Sequence, residues 1–391
     1  MSTAVGVKGE VVSCQWETSV RPLLRPTWVE IDTRAFRRNL RAITTFLKKE
    51  TRVLVVVKAN AYGHAAVPLS RIAVESGVAM LGVSSLEEGI ALRDAGISSP
   101  ILIMGSLFPL ENFKTAAAYH LIPTISSLRG LVELSRTAHR MGTVLPFHLK
   151  VDTGMGRVGV SAENAPVILD RIAADKNVIM TGLYMHFSAA DTDQEFTRAQ
   201  RTRFLPVVEY ARALKLKFDA HAASSSAIIR YPELHYDMVR AGISLYGLAP
   251  HEGAHKKLKV TPVLSWKTRI VFLKRVPRGT AVSYGHTFMT KRASVIATLP
   301  VGYADGYSRS LSNLAKVLVQ GRRCPVVGRV TMDMVMVDVT GVKGVTLGDE
   351  VVLIGAQGKE RITAEEMACW TKTINYETTC NVSYRVPRIV R

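Results

Sequence analysis

A (β/α)₈ barrel of the TIM type followed by a smaller, mostly β C-terminal domain is the α/β fold class that the sequence predicts, and three observations carry that expectation. Apolar runs of strand length recur eight times over roughly 210 residues, spaced for crossover helices rather than hairpins. The first of them, Val53-Leu54-Val55-Val56-Val57, leaves no face for water and so reads as a strand buried on both sides. From about Val263 the texture changes to closely spaced strands punctuated by Gly and Pro, the pattern of a small all-β unit.

In chain order, residues 1–25 read as a poorly ordered extension, a barrel domain occupies 26–262, and a β-rich domain occupies 263–391. Thr27 to Asp32 alternates as a short strand free to pack on the C-terminal domain, and Arg34 to Lys49 has helical spacing at Leu40, Ile43 and Leu47. After the organising strand come Met80–Ser84, Ile101–Gly105, Leu121–Ile125, Pro146–Asp152, Ile179–Phe187, Phe218–Ala223 and Met238–Tyr246. Segments such as Ser85–Ala95 and Ser127–His139 have the apolar period of helices between them. In the second domain strands are expected at Ser265–Val276, Ala281–Phe288, Ala293–Pro300, Lys316–Val319, Val326–Val330, Met334–Val339 and Glu350–Gly355. Thr363 and Glu366 form a capping-box pattern ahead of a helix at Met367–Lys372.

Composition narrows the functional classes. The net charge of +19 suggests nucleic acid at first sight, but the basic residues are scattered, with no block of five or six like charges and no basic patch interleaved with aromatics. The charge is read as a solvated surface that also favours anionic ligands. Cys14, Cys324, Cys369 and Cys380 have neither C-x-x-C spacing nor the density of a disulfide framework, so no metal site is indicated and a reducing cytoplasm is the expected setting. The first 25 residues carry Lys8, Glu10 and Glu17 without an apolar core, and nowhere do 18 apolar residues run uninterrupted, which argues against secretion and against a membrane span.

Lys58 directly follows the organising strand, at the end where a barrel places its active site. A lysine at the edge of an apolar core has its ammonium disfavoured by desolvation, the setting of a Schiff-base lysine, although one that merely snorkels to solvent fits this segment equally well. Lys150-Val151-Asp152-Thr153-Gly154-Met155-Gly156-Arg157-Val158-Gly159 contains G-x-G-x-x-G, formally a dinucleotide fingerprint. It follows the fifth strand rather than the first and has charged residues inside it, so an NAD-dependent enzyme is disfavoured. An arginine on a Gly-rich turn is better suited to hold a carboxylate or phenolate. His186 ends the sixth strand, His221 to Ser226 ends the seventh in small hydroxyl residues, and Arg240 to Ile243 lies on the eighth. The loops after the last two strands are the usual phosphate site of a barrel.

Six ordered motifs then carry a resemblance: Val57-Lys58-Ala59-Asn60-Ala61-Tyr62-Gly63-His64, Asp152 to Arg157, Ser283-Tyr284-Gly285, Gly302 to Tyr307, Gly328 to Asp333 and Tyr384 to Arg388. From about Thr27 to Arg391 the chain resembles the alanine racemases, fold-type III enzymes that use pyridoxal 5′-phosphate (PLP). The resemblance implies a cytoplasmic homodimer with shared active sites that interconverts L- and D-alanine by a two-base mechanism, supplying D-alanine for peptidoglycan. It implies that Lys58 binds PLP covalently and serves as one base, and that Tyr284 of the partner subunit serves as the other. Arg157 would bond the PLP phenolic oxygen and the substrate carboxylate, and Met332 of the partner subunit would bind that carboxylate through its backbone. Tyr62, Ser225, Gly242, Ile243 and Tyr376 would hold the phosphate, and Arg240 would face the pyridine nitrogen. His186, His221, Lys150 and Asp333 would support these groups, His186 by linking Arg240 to Tyr284 and Lys150 at the position that many relatives carbamylate.

The implied assignment has a physical logic, because returning a proton to either face of a planar carbon takes two groups on opposite sides of it. Arg240, which does not readily give up its proton, would discourage the long-lived carbanion that a protonated pyridine supports. Ala241 and Ser224 stand where the family usually has Pro and often Asn. A racemase of another amino acid, such as serine or lysine, and a non-catalytic PLP-binding protein are the alternatives; the second should lack the domain that carries Tyr284.

Overall fold

The computed structural model describes residues 24–391, so the expected extension lies, up to residue 23, outside the described residues. Eight parallel strands close a barrel: Arg52–Val56, Met80–Val83, Ile101–Ser106, Ile122–Ile125, Leu145–Asp152, Val178–Tyr184, Asp219–His221 and Met238–Ala241, each beside the next and the last paired back onto the first. The organising strand shows why the barrel closes around it. Val53, Val55 and Val57 pack outward into the large core under the helices, while Leu54 and Val56 point inward onto Met80, Leu102 and Met238. Alternation with period two thus buries both faces of one strand.

Four of the helices between the strands begin where short polar side chains accept otherwise unpaired N–H groups. Asp32 caps Thr33–Phe46, Ser85 caps Leu86–Asp94, Ser127 caps Leu128–Met141 and Asp193 caps Gln194–Ala213. Their apolar stripes, with Phe36, Leu40 and Ile43 on the first, complete the outer core.

Thr27–Ile31 does not join the barrel. It pairs antiparallel with Leu264–Arg269 and parallel with Arg388–Val390, inside a sheet that continues through Glu350–Gln357 and Lys316–Val319 to Arg322–Pro325. A second sheet joins Phe272–Val276, Ser294–Leu299 and Val335–Asp338. The capping pattern at Thr363 is realised, its hydroxyl accepting the Glu366 N–H at 3.1 Å at the start of Ala364–Thr371.

Several strand boundaries differ from the sequence expectation, each for a local reason. Ser265–Val276 is two strands, because Ile270 sends its N–H to Asp349, just before a strand of the first sheet, and Val271 sends its own to Thr298 on the second. Ala281–Phe288 is a short hairpin interrupted by positive φ at Ser283, Gly285 and His286. In Val326–Val330 only Val326 bridges to a neighbour; Gly328 has φ +75° and approaches the Val282 carbonyl so closely that a Cβ would lie 2.5 Å from its oxygen. Met238–Tyr246 leaves the barrel after Ala241 and turns into a 3₁₀ segment at Ile243–Tyr246.

Candidate active site

Lys58 stands two residues beyond the first barrel strand, and the backbone that follows it is unusual. Ala59, Asn60, Ala61 and Tyr62 all have φ between +51° and +54°, a left-handed turn built without glycine. Each such residue costs on the order of 1–2 kcal/mol, so a run of four needs several outside supports. Those supports are present. The Ala59 N–H donates to Glu88 Oε1 at 2.6 Å, and Asn60 Oδ1 accepts the Ala66 N–H at 2.7 Å. His64 Nδ1–H donates to the carbonyls of Ala61 and Tyr62 at 3.1 and 2.8 Å. Gly63 lies so close to the helix Asn375–Cys380 that a Cβ would meet the Thr379 carbonyl oxygen at 2.1 Å. The turn lays the Tyr62 ring between Tyr246 and Tyr376, with centroids 5.1 and 6.0 Å away.

Lys58 opens into a cavity of ≈ 680 Å³ at the C-terminal ends of the barrel strands. Tyr62, Lys150, Arg157, His186, Ser225, Arg240, Gly242, Ile243 and Tyr376 line it as well, so ten of the residues singled out from the sequence converge on one space. Burial and then the nearby Arg157 hold the Lys58 ammonium below the usual lysine range. Four of the groups lining the wall are basic, Lys58, Lys150, Arg157 and Arg240, against Glu377, which suits an anionic occupant.

The Gly-rich stretch turns out to be local turn chemistry. Asp152 Oδ1 accepts N–H groups from Gly154, Met155 and Gly156 at 2.9, 2.8 and 3.2 Å, while Gly154 and Gly156 supply φ of +129° and +69°. This loop delivers Arg157 to the cavity. At the opposite wall Ser225 Oγ accepts the N–H groups of Gly242 and Ser244 at 3.2 and 3.3 Å. A Cβ on Gly242 would sit 2.8 Å from Tyr62 Oη, so only glycine keeps this cradle open.

Arg240 is buried beneath the cavity and spends its donors on the barrel. Nη1 donates to the His221 carbonyl at 2.9 Å, and Nη2 donates to the carbonyls of Met185 and Ala222, both at 2.8 Å. The same nitrogens lie 2.9 Å from His221 Nδ1 and 3.0 Å from His186 Nδ1. A guanidinium has donors only, and Nη2 shares its two hydrogens among three acceptors; a ring nitrogen facing such donors is unprotonated, so each imidazole carries its proton on Nε2. His221 Nε2–H therefore donates to His148 Nδ1 at 3.0 Å. His186 keeps an Nε2–H in reserve. Burial, then Arg240, pushes both His186 and His221 well below the ordinary histidine range, so they stay neutral. Burial likewise lowers Arg240 to about 10, which leaves it protonated at neutral pH.

Lys150 is packed on the same network, its Nζ 4.6 Å from the centre of the Tyr184 ring, which stacks on His221. Burial, Arg240 and Arg157 bring it down to about 7. The Tyr184 hydroxyl is tied to Thr124 Oγ1 at 2.7 Å. His148, Tyr184, Thr124 and Glu88 were not singled out from the sequence. For His148 a signal exists: it lies two residues before Lys150 on one strand and so points the same way. For Glu88 and Thr124 none does.

Three other residues singled out from the sequence lie apart from this cavity. Tyr284 is 72% exposed on the turn Tyr284–His286, and Met332 is 53% exposed. Asp333 accepts from Arg385 Nη2 at 2.7 Å. Their surroundings are nonetheless firmly built. The N–H groups of Tyr303 and Ala304 donate to the carbonyls of Thr331 and Met332 at 3.0 and 3.1 Å. Asp305, fully buried, accepts from the Gly302 N–H and from Arg25, each at 3.0 Å.

Comparison with known proteins follows the same two-part division. Residues 31–250 match the family model "Alanine racemase, N-terminal domain", and residues 263–390 match "Alanine racemase, C-terminal domain". The alanine racemase of Halothermothrix orenii is 44% identical over 368 residues, covering 94% of this chain and 97% of the relative. That of Symbiobacterium thermophilum is 46% identical over 367 residues, covering 93% and 97%. The crystal structure of alanine racemase from Bacillus anthracis with bound L-Ala-P superposes with a TM-score of 0.89 at 36% identity, covering 95% of this chain and 96% of that one. Among the described residues no helix is long and apolar enough to cross a membrane.

Proposed function

The chain belongs to the alanine racemase family, and from that premise we propose that it interconverts L- and D-alanine by a two-base proton transfer at the Lys58 cavity, supplying D-alanine for peptidoglycan. The observation that carries the reading is the division of the expected groups. Lys58, Arg157 and Arg240 line one cavity within a chain, while Tyr284 and Met332 are displayed on the other domain. A second copy of the chain brings them together.

The cofactor of this reading is PLP, and the cavity fits it. The cradle at Gly242, which any Cβ would fill, has the Ser225 and Tyr62 hydroxyls beside it, with Tyr376 and Ile243 on the same wall, and it suits a phosphate. Lys58, its ammonium disfavoured by burial, is the amine for the covalent link. Arg240, held protonated with its Nη hydrogens on carbonyls and two neutral imidazoles, would offer its remaining Nε–H to the pyridine nitrogen. When bound, PLP supplies the electron sink that makes the substrate's α-proton acidic.

The chain's own residues do the rest. Arg157 orients the substrate carboxylate, with the Met332 backbone of the partner subunit opposite it. Lys58 Nζ moves the proton on one face and the Tyr284 hydroxyl of the partner subunit moves it on the other. The Nε2–H that His186 keeps in reserve stabilises the Tyr284 phenolate when it forms, and Arg240 fixes the tautomer that makes this possible. Lys150, brought to about 7, has a neutral amine available for the carbamylation seen in many relatives. Asp333 steadies the Met332 loop through Arg385. The cytoplasmic setting belongs to the same proposal.

The test is subunit mixing. Lys58→Ala and Tyr284→Phe chains, each inactive alone, should regain racemisation when exchanged, because a mixed dimer contains one intact site; no recovery despite proven exchange would contradict shared sites.

A further inference from the structure

Glu88 lies outside the cavity, on the helix Leu86–Asp94 that follows the second barrel strand. Both of its carboxylate oxygens are committed to backbone. Oε1 accepts the N–H of Ala59, the residue after Lys58, at 2.6 Å. Oε2 accepts the N–H of Ser84, which follows the strand Met80–Val83 and lines the cavity, at 2.7 Å. One side chain therefore ties two strand-to-helix loops together immediately behind the lysine. Ala59 opens the left-handed turn, and a carboxylate is the one side chain of this size whose two terminal atoms both accept, one for each loop.

We propose that Glu88 is a positioning residue for Lys58, fixing the direction of its side chain into the cavity and acting as the fixed negative charge that balances the cations around it. The inference rests on the reading of Lys58 as the cofactor-bearing base. The charged groups that act on Lys58 are Arg157 and Arg240, which disfavour its ammonium, and Glu88, which favours it; the Cys380 thiol, Glu377 and Lys150 line the same cavity. Removing the carboxylate leaves the four cations of the cavity opposed on its wall by Glu377.

Two substitutions separate the roles. Glu88→Gln keeps the shape but turns an NH₂ towards one of the two amides and removes the charge, while Glu88→Asp keeps the charge on a side chain too short to span both loops. On the holoenzyme three quantities are read: kcat and KM for alanine, the pH midpoint of the near-visible cofactor absorption band, and deuterium exchange of peptides covering residues 57–63 and 81–86. Both variants should lose about tenfold in kcat with KM within about twofold, since a misplaced base costs rate more than binding. Exchange should rise in both. The midpoint should fall in Glu88→Gln and hold in Glu88→Asp. A folded Glu88→Gln with unchanged exchange and midpoint overturns the proposal, and so does wild-type kcat in Glu88→Asp should the amide variant fail to fold. If the wild-type chain itself shows no such band, the cofactor reading fails, and exchange alone still decides the tie.

Discussion

The two halves of the implied site are built on opposite plans. At the mouth of the barrel Arg240 is 3% exposed and turns its Nη hydrogens to three carbonyls and two imidazoles, Lys58 is half-buried, and Arg157 is exposed but lines the same cavity. On the C-terminal domain the Thr331 and Met332 carbonyls accept from Tyr303 and Ala304, and Ser283 Oγ donates to the Arg329 carbonyl at 2.7 Å, yet the side chains of Tyr284 and Met332 are exposed. On the proposed reading, one chain finishes the pocket and displays the second base, which then acts only against another copy. An exposed tyrosine held on a strained turn, with Ser283 at φ +68°, is an expensive surface feature unless something docks there.

The largest effect tests the finished half. Lys58→Ala should abolish the borohydride-sensitive absorption band and cut racemisation by on the order of 10⁴-fold or more, since it removes both the anchor and a base. A retained band, with the cofactor attached at Lys150 by peptide mapping, would overturn the assignment.

The next tests the displayed half. Tyr284→Ala should lower racemisation in both directions by about 10²–10⁴-fold. If the two bases serve opposite faces, it should also block exchange of the L-alanine α-proton with deuterated solvent while D-alanine still exchanges slowly through Lys58. Equal loss for both enantiomers by NMR would remove Tyr284 from its role.

A smaller effect sharpens the boundary between cradle and base. Gly242→Ala places a methyl group 2.8 Å from Tyr62 Oη. It should weaken cofactor affinity about tenfold with little change in kcat at saturating cofactor, a cost of the size expected for overpacking by one methyl. Unchanged affinity in a cofactor titration would place the phosphate elsewhere.

The smallest concerns stability. Lys150 titrates near 7 in the folded chain against 10.5 when unfolded, so between those values the unfolded state binds more protons and stability rises with pH. Lys150→Met should flatten that rise. Because other groups titrate in the same window, the quantity to compare is the difference between wild type and variant in chemical unfolding at pH 7 and pH 10. Parallel curves would mean that Lys150 is not held neutral by its surroundings.

Much of the barrel and its cavity was legible in the sequence because it is written in local periods. The run Val53–Val57 declares a strand buried on both faces, Lys58 declares its end, and the spacing of the next seven runs declares parallel strands with crossovers. The C-terminal domain was less legible, since its strand ends are set by single positive-φ residues such as Ser283 and His286, which no hydrophobic pattern marks. The polar wiring is set by the closed barrel. Arg240 meets His221 and His186 from positions 19 and 54 residues away, His148 reaches His221 across 73, and Glu88 finds Ala59 across 29. Such partners are chosen by which strand ends the closed barrel brings within about 3 Å, and a hydrogen bond leaves no periodic trace in the chain that makes it.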